Sequence, residues 1–470
     1  MSSNQETGAS PPDSARAGKL PLPAMVATAV GVVVVQSTMI SMLNGAGIGG
    51  INFLVAIGIA GLLALTYVLS FSELALMLPR AGSVSAYTQA ALGPGLAIIA
   101  TLSGYVAVAL LGIPAELILV DMLLAQVAPG LVALLPYPSL ALLLLFCLLN
   151  LRGIDLFARI QSTLVAIMFG GLFLIGIAGL LTGLLGGWTA ADTPAATLDL
   201  PLALSLVALA FWGMVGLEFV CPMVGDARDP SRNLPRAMLL GLMMIVAVYG
   251  VFCLAGMAML PAEKLTAATP HVDLALSIFG PTAKIAFATL AILGSATLLN
   301  TVLASVSRMM QGMTQSGQLP ALLARENRYG APVWALLCLV LAIGAVRASL
   351  GMDVTSILTL VVAAAGCWLV AYIIVHLDLI VLRLRLPQHA RPFRSPAFPP
   401  PQVLGILGMG YVFLNISPTP ELAAPIYKNV AVILGVTSAY SLVWTVLVMR
   451  RNPFRPDMAG ALQDGAKHHD

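Results

Sequence analysis

The sequence predicts an all-α integral membrane protein of twelve transmembrane helices, and three observations carry that prediction. Of its 470 residues 59% are hydrophobic and only 9% charged, with a mean hydropathy of +0.97, whereas soluble domains carry about 25% charged residues. Twelve apolar stretches approach the roughly 20 residues that a helix needs to cross a bilayer. Two of these stretches, the first and the sixth, are interrupted by polar or glycine-rich breaks.

In chain order, residues 1–22 are rich in Ser, Gly and Pro and lack an apolar core. They read as a disordered cytoplasmic tail and not as a cleavable signal peptide. The spans run near 23–45, 51–78, 96–127, 138–151, 156–184, 201–225, 237–260, 283–313, 332–347, 355–384, 402–417 and 427–449. Turn-forming breaks separate them: Pro79-Arg80-Ala81-Gly82, Pro129-Gly130, Asn150-Leu151-Arg152-Gly153, Gly186-Gly187, Gly317-Gln318-Leu319-Pro320 and Phe398-Pro399-Pro400-Pro401. Residues 451–470 form a second polar tail. Cys147, Cys221, Cys253, Cys338 and Cys367 stand singly inside apolar segments, with neither metal-type spacing nor a disulfide framework.

Charge sets the orientation. With the N-terminus in the cytoplasm, nineteen of the 23 Lys and Arg residues fall on the cytoplasmic side, leaving Lys264, Lys284, Arg347 and Lys428 outside. The positive-inside rule therefore expects both termini to be cytoplasmic and the number of spans even.

Span 6 carries the break Phe211-Trp212-Gly213-Met214-Val215-Gly216-Leu217-Glu218, followed by Pro222 and a basic run to Arg236. A carboxylate in hydrocarbon costs roughly 2.5–3.5 kcal/mol, and broken helices are tolerated where the freed backbone faces a cavity. Span 1 has its own polar stretch, Gln36-Ser37-Thr38-Met39-Ile40-Ser41, with Ser37 lying 175 residues before Trp212. Five spans separate the two breaks, so they enter the membrane in opposite senses. That is the layout of a five-plus-five inverted repeat with two extra helices. The implied organisation is a first repeat over 23–200, a second over 201–400, and spans 11 and 12 over 401–450.

Four motifs then make the chain similar to the amino acid–polyamine–organocation superfamily, and to its amino acid permease family. They are Ser72-Glu73-Leu74 through Pro79-Arg80-Ala81-Gly82-Ser83, and Gly213 to Arg236 with its Gly216-Leu217-Glu218 core and Asn233-Leu234-Pro235-Arg236 ending. The third is Ser307-Arg308-Met309-Met310 with Gly317-Gln318-Leu319-Pro320 and Pro332, and the fourth is Arg391-Pro392-Phe393-Arg394-Ser395-Pro396. The resemblance implies the leucine-transporter-type fold, alternating access, and an amino acid or amine as substrate.

It also implies roles for residues. Trp212 falls where the family places an aromatic gate, and its ring can stack on an amine; the other reading is an interfacial or core tryptophan. Glu218 is either a proton or substrate-amine site or a structural carboxylate bonded to backbone freed by the break. Family members carry Gly-Ser-Gly at the span 1 break, where this chain has Gln36-Ser37-Thr38, so recognition of a substrate carboxylate is in question. The expected substrate contacts are Ser37, Thr38, Met39, Ser41, Glu116, Phe211, Trp212, Gly213 and Gly216, with Trp212 and Glu218 in gating or coupling. The break is expected at Ser37 to Ser41, and Gly45-Ala46-Gly47 in an external turn. Glu116 on span 3 suits a cationic amine or serves as a structural acid, and Asp121 is expected to be solvated.

No metal site or organic cofactor is expected, and the coupling ion is H+ or Na+. The span 5 lysine of some proton-coupled relatives is replaced by Met168, after Ala158-Arg159-Ile160-Gln161. Ser295, Thr297, Asn300, Thr301 and Ser305 offer oxygens to sodium, and His376 is a lone histidine in span 10. The functional expectation is a plasma-membrane permease for an amino acid or related small amine; the alternative is a polyamine or monoamine importer. Its partners are that small molecule and the lipid bilayer, without nucleic acid, and the oligomeric state is open. An enzyme is disfavoured because no paired His, Asp or Glu set has catalytic spacing. A sensor is disfavoured because no soluble segment reaches the roughly 50 residues of a domain.

Overall fold

A computed structural model describes residues 20–135, 137–186, 197–350, 354–417 and 420–458, and the side chains of all of these except 354–358 and 420–422. The expected N-terminal tail therefore lies outside the described residues up to 19, and the C-terminal tail from 459 onward. Among the described residues the chain is helical, with two isolated β-bridges and no strand.

The first half starts with α1 (Leu22–Val30) and α2 (Gln36–Gly49), followed by α3 (Ile51–Met77), α4 (Val84–Ala91) and α5 (Pro94–Thr101). A π turn over Leu102–Val106 joins α5 to α6 (Ala107–Val127), and α7 (Pro129–Leu134), α8 (Pro138–Asn150) and α9 (Ile154–Gly186) follow. The second half opens with α10 (Leu200–Ser205) and α11 (Val207–Trp212). After the break comes a 3-10 run, Leu217–Asp226, with Pro222 inside it. The rest is α12 (Pro230–Met259), α13 (Ala262–Leu265), α14 (Pro270–Phe279), α15 (Ala283–Gln315), α16 (Val333–Ser349), α17 (Val354–Arg385), α18 (Pro400–Leu414) and α19 (Pro420–Val443).

Among the described residues, eight helices are long and apolar enough to cross a membrane; α8, α16 and α18 are shorter apolar helices. Burial sorts them. The Val207–Asp226 segment is 83% buried and the last helix only 22%, so span 6 lies at the centre and α19 at the periphery. α9 is likewise peripheral, and its Leu174, Leu181, Leu184 and Leu185 are exposed.

Span 1 departs from expectation. Its break falls at Gly31–Val35, while Ser37, Thr38, Met39 and Ser41 sit in the first turns of α2. Four consecutive valines follow Gly31, and β-branched side chains lose rotamer freedom in a helix. Gly31 itself is pinned, because a Cβ there would lie 2.0 Å from the Gln161 amide nitrogen. Nor is Gly45-Ala46-Gly47 a turn. It is helical, and a Cβ on Gly45 would meet the Phe53 ring at 2.2 Å, one on Gly47 the Leu265 Cβ at 2.7 Å. Close packing explains these glycines, and Gly50 alone makes the corner, with φ 52°.

Two of the sequence motifs meet at one end of the bundle. Glu73, at the end of α3, accepts from Arg383 Nε at 2.8 Å and from the Ser395 N–H at 2.7 Å. The Arg391 Nε lies 3.1 Å from the same carboxylate. Around the break of span 6, Leu20 donates its N–H to Asp226 O and accepts from the Arg228 N–H, both at 2.9 Å. The residues before α1 are thus clasped to those after span 6.

Candidate functional site

The two breaks touch. Gly216 has φ 109°, a conformation glycine adopts without a Cβ penalty, and a Cβ there would meet Val32 Cγ1 at 2.8 Å. The break backbones are held by hydroxyls from elsewhere. Tyr67 Oη donates to Met214 O at 2.5 Å, and Gly216 N–H donates to Tyr372 Oη at 3.2 Å. Thr38 Oγ1 and Tyr249 Oη donate to Val33 O at 2.5 and 2.9 Å. Thr297 Oγ1 donates to Gly31 O at 2.9 Å, and the Gln161 amide to Ala27 O at 3.2 Å. Each is a carbonyl or N–H that the interrupted ladder left to be satisfied elsewhere.

Between the breaks lies a cavity of about 60 Å³. Span 1 contributes Val32, Val35, Ser37 and Thr38, and α6 contributes Val108, Ala109, Gly112, Ile113, Ala115 and Glu116. Span 6 contributes Trp212, Val215 and Phe219, α15 contributes Leu298 and Val302, and α17 contributes Val361 and Trp368. Among the described residues the lining therefore holds one carboxylate and three large aromatic rings, and no Lys, Arg or His.

Glu116 is 3% exposed and its partners are unusual. Oε1 accepts the Gln36 N–H at 2.9 Å and the Ser295 hydroxyl at 2.8 Å, and Oε2 accepts the Ser37 N–H at 3.3 Å. Those two N–H groups open α2, so Glu116 caps that helix and meets its positive dipole end. The Gln36 side chain completes the ring by donating to Ser295 Oγ at 3.0 Å.

Glu218 is fully buried but lies outside the cavity lining. Its Oε1 accepts from Trp368 Nε1 at 3.0 Å and Tyr105 Oη at 3.3 Å, and Oε2 has no hydrogen-bond partner among the described residues. It is thus one layer behind the Trp368 and Phe219 rings. Of the residues expected at the substrate, Ser37, Thr38, Glu116 and Trp212 line the cavity. Met39, Ser41, Phe211, Gly213 and Gly216 stand in the surrounding shell and do not line it. Trp368, Val361, Val108 and Gly112 were not anticipated. Trp368 and Val361 sit in the uninterrupted apolar stretch 361–375 of α17, and no motif separates the rings and valines there that face the cavity from those that do not.

Asp121 corrects another expectation. It is 3% exposed and bonds the equally buried Arg347 at 2.7 Å, and it also accepts the Ser139 N–H and hydroxyl at 2.9 and 2.6 Å. A carboxylate so placed is stabilised by its arginine; neither group is solvated. His376 is held by Ser70 Oγ at 2.9 Å and Thr66 Oγ1 at 3.4 Å.

A central cavity between two broken helices of a membrane bundle defines a transporter-type site. Residues 22–448 match the family described as Amino acid permease, and the chain belongs to that family, one of transporters and not of enzymes. Branched-chain amino acid permease BcaP of Bacillus subtilis (strain 168) is 23% identical over 411 residues, 83% of this chain and 86% of that protein. Polyamine transporter PUT1 of Oryza sativa subsp. japonica is 23% identical over 250 residues, 53% of this chain and 45% of that protein. Two further relatives, from Bacillus subtilis and Legionella pneumophila, are 34% and 27% identical over 27% and 28% of this chain, and the matches span 27% and 30% of their own lengths. Among solved structures, Mhp1, a nucleobase-cation-symport-1 family transporter in a closed conformation with bromovinylhydantoin bound, aligns with a TM-score of 0.56. The identity is 13%, and the alignment covers 93% of this chain and 99% of Mhp1. The likeness shows a shared fold, the leucine-transporter type.

Proposed function

We propose that the chain is a secondary active transporter that moves an amino acid or related small amine across the plasma membrane by alternating access. The observation that carries this is the cavity beside the contact of Val32 with Gly216, from the breaks of spans 1 and 6. Among the described residues, eight long helices, three shorter apolar ones and the broken α1–α2 pair support a reading of twelve crossings. They are organised as repeats over 23–200 and 201–400 plus the two spans of 401–450. The lysine and arginine distribution supports cytoplasmic termini. Cysteine placed at Thr269 then reacts with an impermeant reagent outside the cell, and cysteine at Asn233 does not.

Substrate-binding roles belong to Ser37, Thr38, Glu116 and Trp212. Met39, Ser41, Phe211, Gly213 and Gly216 shape the breaks around them. The coupling ion in this proposal is the proton. Sodium in such folds is held by carbonyls of unwound backbone, and here those of Ala27, Gly31 and Val33 already accept protein donors. Glu218, buried with one oxygen unpartnered and no cation beside it among the described residues, is the proposed proton carrier. The test is uptake into proteoliposomes under a pH gradient, a sodium gradient or neither. Stimulation by an inward proton gradient supports the proposal; stimulation by sodium alone removes Glu218 from coupling.

A further inference from the structure

A helix N-terminus presents unpaired N–H groups that attract anions. At α2 the N–H groups of Gln36 and Ser37 face a cavity wall, and both are taken by Glu116. A substrate carboxylate reaching this helix end meets occupied donors and a resident negative charge. Elsewhere, among the described residues, the lining holds no cationic side chain to compensate an anion.

The same lining suits a cation. The Glu116 carboxylate, held by the two N–H groups and the Ser295 hydroxyl, lines the cavity. That carboxylate, the Ser37 hydroxyl and the rings of Trp212, Trp368 and Phe219 are what an ammonium group seeks. The rest of the wall is valine, alanine, leucine and isoleucine, with Gly112 and Thr38. A second ammonium would find no second carboxylate, because Glu218 lies behind the rings and outside the lining.

Taking the cavity as the transport site, we propose that its substrate is a small apolar monoamine without a carboxylate. The ammonium head docks at Glu116, and the tail lies against the valine wall. Glu116 fills, from within the protein, the place where an amino acid would present its own carboxylate.

The experiment is saturable uptake by wild-type protein in liposomes of four probes: 2-methylpropylamine, valine, alanine and 1,4-diaminobutane. Valine is the first probe with a carboxylate added, and alanine is an amino acid of nearly its size. Expected is saturable uptake of 2-methylpropylamine, with each of the other three at least tenfold weaker in uptake and in competition. Preference for valine or alanine overturns the inference and leaves the transport reading standing. Equal uptake of the diamine overturns the single-charge assignment. Uptake of none of the four overturns both. Glu116→Gln should lose competition by the monoamine by at least tenfold; retained competition in a folded variant removes Glu116 as the docking group. If that variant does not fold, the wild-type comparison decides.

Discussion

The contact between the two breaks makes a quantitative prediction at Gly216. Replacing it by alanine places a Cβ at φ 109°, a strained region that costs about 1–3 kcal/mol for a non-glycine residue. That Cβ also sits 2.8 Å from Val32 Cγ1 and 3.0 Å from Val32 Cβ. Val32 is buried on a backbone held by hydrogen bonds, so it cannot swing aside, and overpacking adds about 1–3 kcal/mol. Gly216→Ala is therefore expected to lose about 2–6 kcal/mol, a large share of a typical stability of about 5–15 kcal/mol. Gly213→Ala is the control. Gly213 has φ −77° and ψ 4°, and its added Cβ first meets the terminal methyl of Met42 at 2.8 Å. That thioether end is flexible, and the cost should stay under about 1 kcal/mol. Melting curves of the two purified variants against wild type provide the assay. Equal, small shifts would refute the account of how the breaks meet.

Asp121→Asn strands the buried Arg347 and should cost about 3–5 kcal/mol; Asp121→Leu combined with Arg347→Leu should recover most of it in the same melting assay, and a mild single variant would contradict the ion pair. His271, on α14 outside the spans, has both ring nitrogens buried without hydrogen-bond partners among the described residues, and burial lowers its pKa to about 4. Its unfolded value is about 6.5, so the unfolded chain binds the extra proton between these values. The stability this neutral histidine allows is present above pH 6.5 and is lost as the pH falls toward 4, by up to about 3 kcal/mol. His271→Phe should flatten that loss without lowering the melting temperature at pH 7.5; an unchanged acid profile would count against it.

Much of this architecture was legible because membrane burial writes itself into composition. The long apolar segments, the glycine-rich break of span 6, and Glu116, Trp212 and Glu218 as polar or aromatic groups in apolar runs all stand out from their neighbours. The break of span 1 did not, since Val32-Val33-Val34-Val35 looks like uninterrupted membrane helix. Its interruption comes from Gly31 pressed on Gln161 and from the hydroxyls of Thr297 and Tyr249, all remote in sequence. Asp121 and Arg347 lie 226 residues apart, and nothing local to either names the other. The assignment of Glu116 to the end of α2 was invisible for the same reason: it depends on where two helices cross.

The most direct test of the central claim fills the cavity. Gly112 lines it, and a Cβ added there meets nothing within 4 Å, so Gly112→Leu adds a branched side chain at the cavity wall without a clash at its first carbon. The substitution also replaces glycine by a better helix former, a gain of up to about 1 kcal/mol in an exposed helix interior. Proteoliposomes carrying this variant should show a melting temperature equal to or above wild type and at least a tenfold loss of substrate uptake. A folded Gly112→Leu protein that transports at the wild-type rate would show that the substrate passes elsewhere.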